Sequence, residues 1–157
     1  MTQIELWGDG SADNKKNLEE EAGGGIGVVL ICGEYRKELS EYFSGKQTNN
    51  TMELMAVIRG LENIKTTNIP ILVRSDSSYV VNCFIQKWHV NWRKNGWKNS
   101  KKKPVENKEL WIRLLDLVEK QEDITFKHVK GHAGNELNEL CDTLAKQAVE
   151  RAKQNNG

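Results

Sequence analysis

Proline is nearly missing from this 157-residue chain: only Pro70 and Pro104 occur, and no segment reads as a long interdomain linker. Residues 1–157 are therefore expected to form a single domain, a size that can bury a proper core. No apolar run approaches the ~18 residues that a membrane helix needs, and the start lacks a signal-peptide pattern. Cysteine is scarce as well. Cys32, Cys83 and Cys141 are odd in number, far apart and set among apolar neighbours. That spacing argues against a disulfide framework or a zinc site and for a reducing, cytoplasmic setting. An excess of charge of one sign is also missing, since the net charge is only +1. Any affinity for a polyanion must come from uneven placement of charge.

The placement is uneven. Lys87 to Lys103 holds seven Lys or Arg and no acid, whereas Glu19-Glu20-Glu21 form an acidic run. Residues 3–8 alternate around Ile4 and Leu6, a strand signal that Asp9-Gly10-Ser11 should close with turn chemistry. A polar stretch follows to about Gly25. Ile26–Cys32, the tight link Gly33-Glu34 and residues 35–44 then predict an antiparallel meander. The period changes at Leu54, Val57, Ile58 and Leu61, a helix with caps available in Thr48-Asn49-Asn50-Thr51. Ile69–Ser75 reads as a strand, 78–86 and 88–95 as helices, and Leu110, Leu114, Leu117 and Val118 as another helix. Ile124–Val129 gives a fifth strand. Leu137, Leu140, Cys141, Leu144 and Ala148 mark a last helix. A meander followed by strand–helix–strand–helix predicts a mixed α/β sheet covered by helices.

Four carboxylates stand out. Asp9 and Asp76 are expected where the first and fourth strands end, and open α/β sheets collect ligands outside the carboxyl ends of their strands. An Asp after a strand is also an ordinary turn former or N-cap. Glu53 interrupts Met52 and Leu54-Met55-Ala56-Val57-Ile58, where an unpaired charge is costly. Asp142 sits beside Cys141 in the apolar stripe of the last helix. Were the four to converge, their repulsion would keep some protonated unless a cation neutralised them. Hard oxygen ligands without a His/Cys cluster select Mg²⁺ or Mn²⁺ over zinc.

Three of the five tryptophans, Trp88, Trp92 and Trp97, lie within the basic segment. Cations that meet phosphates and flat rings that pack on sugars or bases suit nucleic-acid tracking. Trp88 and Trp92 are one helical turn apart, so one stripe of the segment can also pack inward. Trp7 and Trp111 read as packing residues, and His89 and His128 as structural.

The motifs Asp9-Gly10-Ser11, Thr48-Asn49-Asn50-Thr51-Met52-Glu53-Leu54, Ser75-Asp76-Ser77, Gly96-Trp97-Lys98, Lys103-Pro104-Val105-Glu106-Asn107, Val129-Lys130-Gly131-His132-Ala133-Gly134 and Asn138-Glu139-Leu140-Cys141-Asp142 follow in an order and spacing that resembles type 1 ribonuclease H. The likeness runs from near the first residue to about Ala148. It implies the RNase H-like fold, a five-stranded mixed sheet of order 3-2-1-4-5 flanked by helices. It implies that Asp9, Glu53, Asp76 and Asp142 hold two Mg²⁺, with Mn²⁺ able to substitute. His132 is implied to serve proton movement or product release from a loop flanked by Gly131 and Gly134. The implied activity is metal-dependent hydrolysis of the RNA strand of an RNA/DNA hybrid, leaving a 5′-phosphate and a 3′-OH.

The resemblance also places Asn49, Asn50, Ser78 and His132 near the RNA strand, where the 2′-OH must be read, and counts Gly10 and Ser11 among the substrate-binding residues. Lys46, Thr48 and Asn107 are similar to a pocket for a DNA phosphate. Tyr79, Trp88 and Trp92 are similar to a channel beside the deoxyribose. A monomer whose partner is an RNA/DNA hybrid, without membrane association, is expected. The sequence departs from many bacterial members in residues 12–22, which are longer, lack proline and carry the three glutamates. Those acids should repel a polyanion, by pointing away or by lowering affinity. Ser78 stands where a larger side chain such as Gln is common, and the N-terminal hybrid-binding module of eukaryotic relatives is not seen. Alternatives are a domain of a reverse transcriptase polyprotein, an inactive hybrid-binding module, and a transposase or integrase core. The start at Met1 and the polar tail from Lys153 to Gly157 favour a free-standing protein, and the four acids favour an active one.

Overall fold

The computed structural model describes residues 2–13, 23–130 and 135–156. Its elements run β1 (Ile4–Ala12), β2 (Gly24–Cys32), β3 (Tyr35–Phe43), α1 (Asn49–Glu62), β4 (Ile71–Ser75), α2 (Ser78–Ile85), α3 (Trp88–Lys94), α4 (Lys108–Glu119), β5 (Ile124–His128) and α5 (Glu136–Asn156). The strands form one sheet of order β3-β2-β1-β4-β5, as the resemblance implied. β1, β2 and β3 pair antiparallel, whereas β1–β4 and β4–β5 are parallel. Gly33 turns the β2–β3 hairpin at φ 62°, a backbone region that glycine enters without Cβ strain.

Alternation along the strands divides the interior into two layers. Leu6, Ile26, Val28, Ile71 and Val73 pack with α1, α2 and α4 through Leu54, Val57, Ile58, Val80, Trp111 and Leu114. Trp7 and Val29 face the other way, toward Cys141 and Leu144 of α5. Trp7 and Trp111 are thus packing residues, as expected.

The first strand is longer than the predicted 3–8. Asp9-Gly10-Ser11 is strand, not turn, because Asp9, Gly10 and Ser11 pair with Gly27, Ile26 and Gly25 of β2. The expectation holds only against β4, whose ladder with β1 stops at Gly8 opposite Ser75. Asp9 and Asp76 are therefore each the first residue beyond the parallel ladder, on neighbouring strands. The turn-forming composition hid a strand held by tertiary pairing.

Glycines set how closely the helices approach. A Cβ on Gly10 would meet the Met52 carbonyl of α1, and one on Gly27 the Cys141 carbonyl of α5. The missing side chains let both helices lie directly on the sheet beside Asp9.

Candidate active site

Each acid reaches the site from a different element. Asp9 comes from β1, Glu53 from α1 and Asp76 from the end of β4. Among the described residues, these three offer oxygen atoms all within 4.8 Å of one another. α1 is started by a reciprocal cap: Thr48 Oγ1 accepts from the Thr51 amide at 3.1 Å, and the Thr48 amide donates to Thr51 Oγ1 at 2.9 Å. That cap fixes the first turn of the helix that carries Glu53. Asp76 is followed by Ser77, whose hydroxyl accepts from the Val80 amide at 3.2 Å and starts α2.

Asp9 and Glu53 are both only 8% exposed. The Gly10 amide donates to Asp9 Oδ1 and to Glu53 Oε1, each at 2.9 Å. Glu53 Oε2 is buried with no hydrogen-bond partner. Burial, followed by the repulsion of Asp76 and Asp142, raises the Asp9 carboxyl to about 6, although the hydrogen bond from Gly10 and that shared with Glu53 pull the other way. Burial and the neighbouring Asp9 push Glu53 well above the usual carboxylate range. A bare site of this kind is electrostatically frustrated, and a divalent cation would relieve it. The orphaned Glu53 oxygen and the all-oxygen donor set fit a hard cation such as Mg²⁺ or Mn²⁺.

Asp142 is not part of that close trio. Its side chain is 43% exposed, more open than an apolar stripe suggests, and pairs with Lys146 at 2.9 Å. It nonetheless borders the same open cavity of about 460 Å³ as Asp9, Glu53 and Asp76. Gly10, Ser11, Asn49, Asn50, Ser78 and Tyr79 line that cavity too. Asn49 has a structural duty as well, since its Oδ1 accepts from the Ala12 amide at 2.9 Å and ties β1 to α1.

The remaining candidates lie elsewhere. Thr48 is the N-cap of α1, and Lys46 is exposed on the preceding turn. Asn107 donates to the Tyr79 hydroxyl at 3.2 Å, and that hydroxyl also accepts from Trp111 Nε1 at 2.8 Å. Trp88 and Trp92 border a second cavity, of about 530 Å³, with Lys94 and Lys98. Trp92 also sits 5.4 Å, centroid to centroid, from buried Trp111, so the basic segment packs one ring stripe inward. His128 Nε2 lies 3.2 Å from the Asp76 carbonyl, a structural place at the edge of the site. His132 and the acidic run Glu19-Glu20-Glu21 lie outside the described residues.

Residue-by-residue reading missed Asn138. It is 5% exposed, and its Nδ2 donates to Asp76 Oδ2 at 3.4 Å. Its position four residues before Asp142, hence on the same helix face, was the available signal. Lys146, four residues after Asp142, was missed for the same reason.

Comparison with known proteins places this geometry. The RNase H family model matches residues 1–150. Ribonuclease H of Clostridium botulinum is 43% identical over 150 residues, 96% of this chain and 97% of its own length. Ribonuclease H of Haemophilus influenzae is 46% identical over 149 residues, covering 94% and 90%. Among solved structures, a foamy viral protease-reverse transcriptase in complex with RNA/DNA hybrid matches with a TM-score of 0.71 and 27% identity, over 92% of this chain and 20% of that one. The acidic trio drawn from β1, α1 and the end of β4, the sheet order and these likenesses agree, and the chain belongs to the ribonuclease H family of nucleases.

Proposed function

We propose that this protein hydrolyses the RNA strand of RNA/DNA hybrids, leaving a 5′-phosphate and a 3′-OH, with Asp9, Glu53, Asp76 and Asp142 holding two Mg²⁺ and Mn²⁺ able to substitute. The observation that carries the reading is the meeting of Asp9, Glu53 and Asp76 oxygens within 4.8 Å around a buried, partnerless Glu53 Oε2. Bound there, the cations would supply Lewis-acid stabilisation of the attacking and leaving oxygens of an in-line displacement. Water adds to phosphorus and the P–O3′ bond breaks, so the 3′ oxygen leaves and takes up a proton.

The chain's own groups do the rest. The Gly10 amide fixes the Asp9 and Glu53 carboxylates against each other, and Asn138 holds Asp76. Asn49, Asn50 and Ser78 border the same cavity and offer donors and acceptors suited to a ribose 2′-OH. Trp88, Trp92, Lys94 and Lys98 form a surface on which the second strand's sugars and phosphates can lie. Lys46, Thr48 and Asn107 serve a DNA phosphate, Tyr79 the deoxyribose channel, and His132 proton movement or product release. The protein acts as a cytoplasmic monomer in this reading. Among the described residues no helix is long and apolar enough to cross a membrane.

The test is cleavage of end-labelled hybrid by Asp9→Asn and Asp76→Asn. Both variants are expected to fold and to lose activity by roughly 10²- to 10³-fold, the scale set by removing a group that acts at the reacting centre. Near-normal cleavage by either folded variant contradicts the reading.

A further inference from the structure

Among the described residues, Asp142 alone of the four acids pairs with a cationic side chain. Lys146 Nζ stands 2.9 Å from Asp142 Oδ2, one helical turn away on α5. The pair borders a cavity of about 300 Å³ that Asp9, Asp76 and Asn138 also line. Buried Asp9 and Glu53 have no such counter-ion among the described residues; their close partners are each other and the Gly10 amide. α5 cannot simply move to change this, because Gly27 lets its backbone rest against β2 beside Asp9. The adjustable part is the Lys146 side chain, 68% exposed on a flexible stem.

We propose that Lys146 is a built-in competitor for the Asp142 side of the metal site: its ammonium occupies the carboxylate in the metal-free protein and must be displaced for Asp142 to serve a divalent cation. This rests on the reading of the four acids as metal ligands and adds a regulator to it. The competition makes metal loading weaker, most of all at low salt, and therefore less sensitive to salt than the acids alone would make it. Monovalent salt screens the Lys146–Asp142 attraction, and the exposure of both partners keeps that attraction modest. Once displaced, the ammonium stays beside the cavity, where an anionic substrate would give it a new partner.

The experiment measures Mn²⁺ binding to the full chain without substrate, by calorimetry and by the electron-spin resonance signal of free Mn²⁺. The variants are Lys146→Met, Asp142→Asn, their double variant, and Lys65→Met as a control for net charge. Lys65 is exposed in the loop after α1 and lines neither of the cavities that these acids border. Lys146→Met is expected to tighten Mn²⁺ binding about twofold at low salt, the scale of a solvated i,i+4 ion pair. Lys65→Met should leave binding unchanged. In the Asp142→Asn background the Lys146→Met gain should vanish, because no carboxylate remains to contest. Unchanged or weaker binding in Lys146→Met, or an equal gain with and without Asp142, overturns the inference. Failure of the underlying reading looks different: Mn²⁺ binding would then be absent, or unaffected by Asp9→Asn.

Discussion

At the scale of single residues, one backbone amide stands between two buried carboxylates. The Gly10 N–H donates to both Asp9 and Glu53, and it cannot neutralise two charges. Burial, then Asp76 and Asp142, lift Asp9 from 3.8 to about 6. The folded state therefore binds that proton more tightly than the unfolded state does. The contribution of Asp9 to the stability of the metal-free protein is lost as pH rises from about 4 to about 6, and stays absent above that. Asp9→Asn removes the penalty. In EDTA at pH 7 the variant should be more stable than the parent, by up to about 3 kcal/mol if the full shift is realised. At pH 3.5 the gain should be absent. Thermal or urea unfolding across this pH range checks the sign, and a gain that is the same at both ends contradicts it. Added Mg²⁺ should raise the melting temperature of the parent but barely that of the variant.

At the scale of elements, α5 is positioned by what β2 lacks. A methyl group on Gly27 would collide with the Cys141 carbonyl, which backbone cannot easily yield. Gly27→Ala is expected to cost about 2 kcal/mol or more, as overpacking of a rigid contact does. It should also reduce hybrid cleavage, because Asp142 adjoins Cys141. Normal stability in this variant would show that α5 is free to shift. The loop after α3 carries the opposite opportunity. Lys102 has φ 62°, a conformation that costs a side chain on the order of 1 kcal/mol and glycine little. Lys102→Gly should raise stability by about that amount, measured by denaturant midpoint, with cleavage altered only through the lost charge.

Most elements were legible from periodicity, because helical spacing at Leu54, Val57, Ile58 and Leu61 and alternation around Leu6 each meet a real core. The end of β1 was not, since Asp-Gly-Ser composition points to a turn and only pairing with β2 overrides it. The acids could be singled out as chemically odd, but local sequence does not show which helix rests on which glycine. Asn138 and Lys146 escaped because a polar residue on a polar helix looks solvated until Asp76 and Asp142 are placed beside it.

At the scale of the molecule, the parallel ladders β1–β4–β5 and the antiparallel β1–β2–β3 meet at β1. The site sits where the two patterns diverge, which is where open α/β sheets collect ligands. Glycine-mediated contact of α1 and α5 from opposite faces then brings four acids from four elements to one cavity. The basic, tryptophan-bearing α3 segment is a separate surface that suits a long duplex rather than a small substrate. In the proposed function, cutting and choosing RNA fall to different residues: the acids for the first, Asn49, Asn50 and Ser78 for the second. One digestion panel tests both together, with labelled RNA/DNA hybrid, double-stranded RNA, single-stranded RNA and double-stranded DNA, each in Mg²⁺ and in EDTA. The account predicts cleavage only of the RNA in the hybrid, with 5′-phosphate ends, and none in EDTA; cleavage that survives EDTA, or that falls equally on DNA, would contradict it.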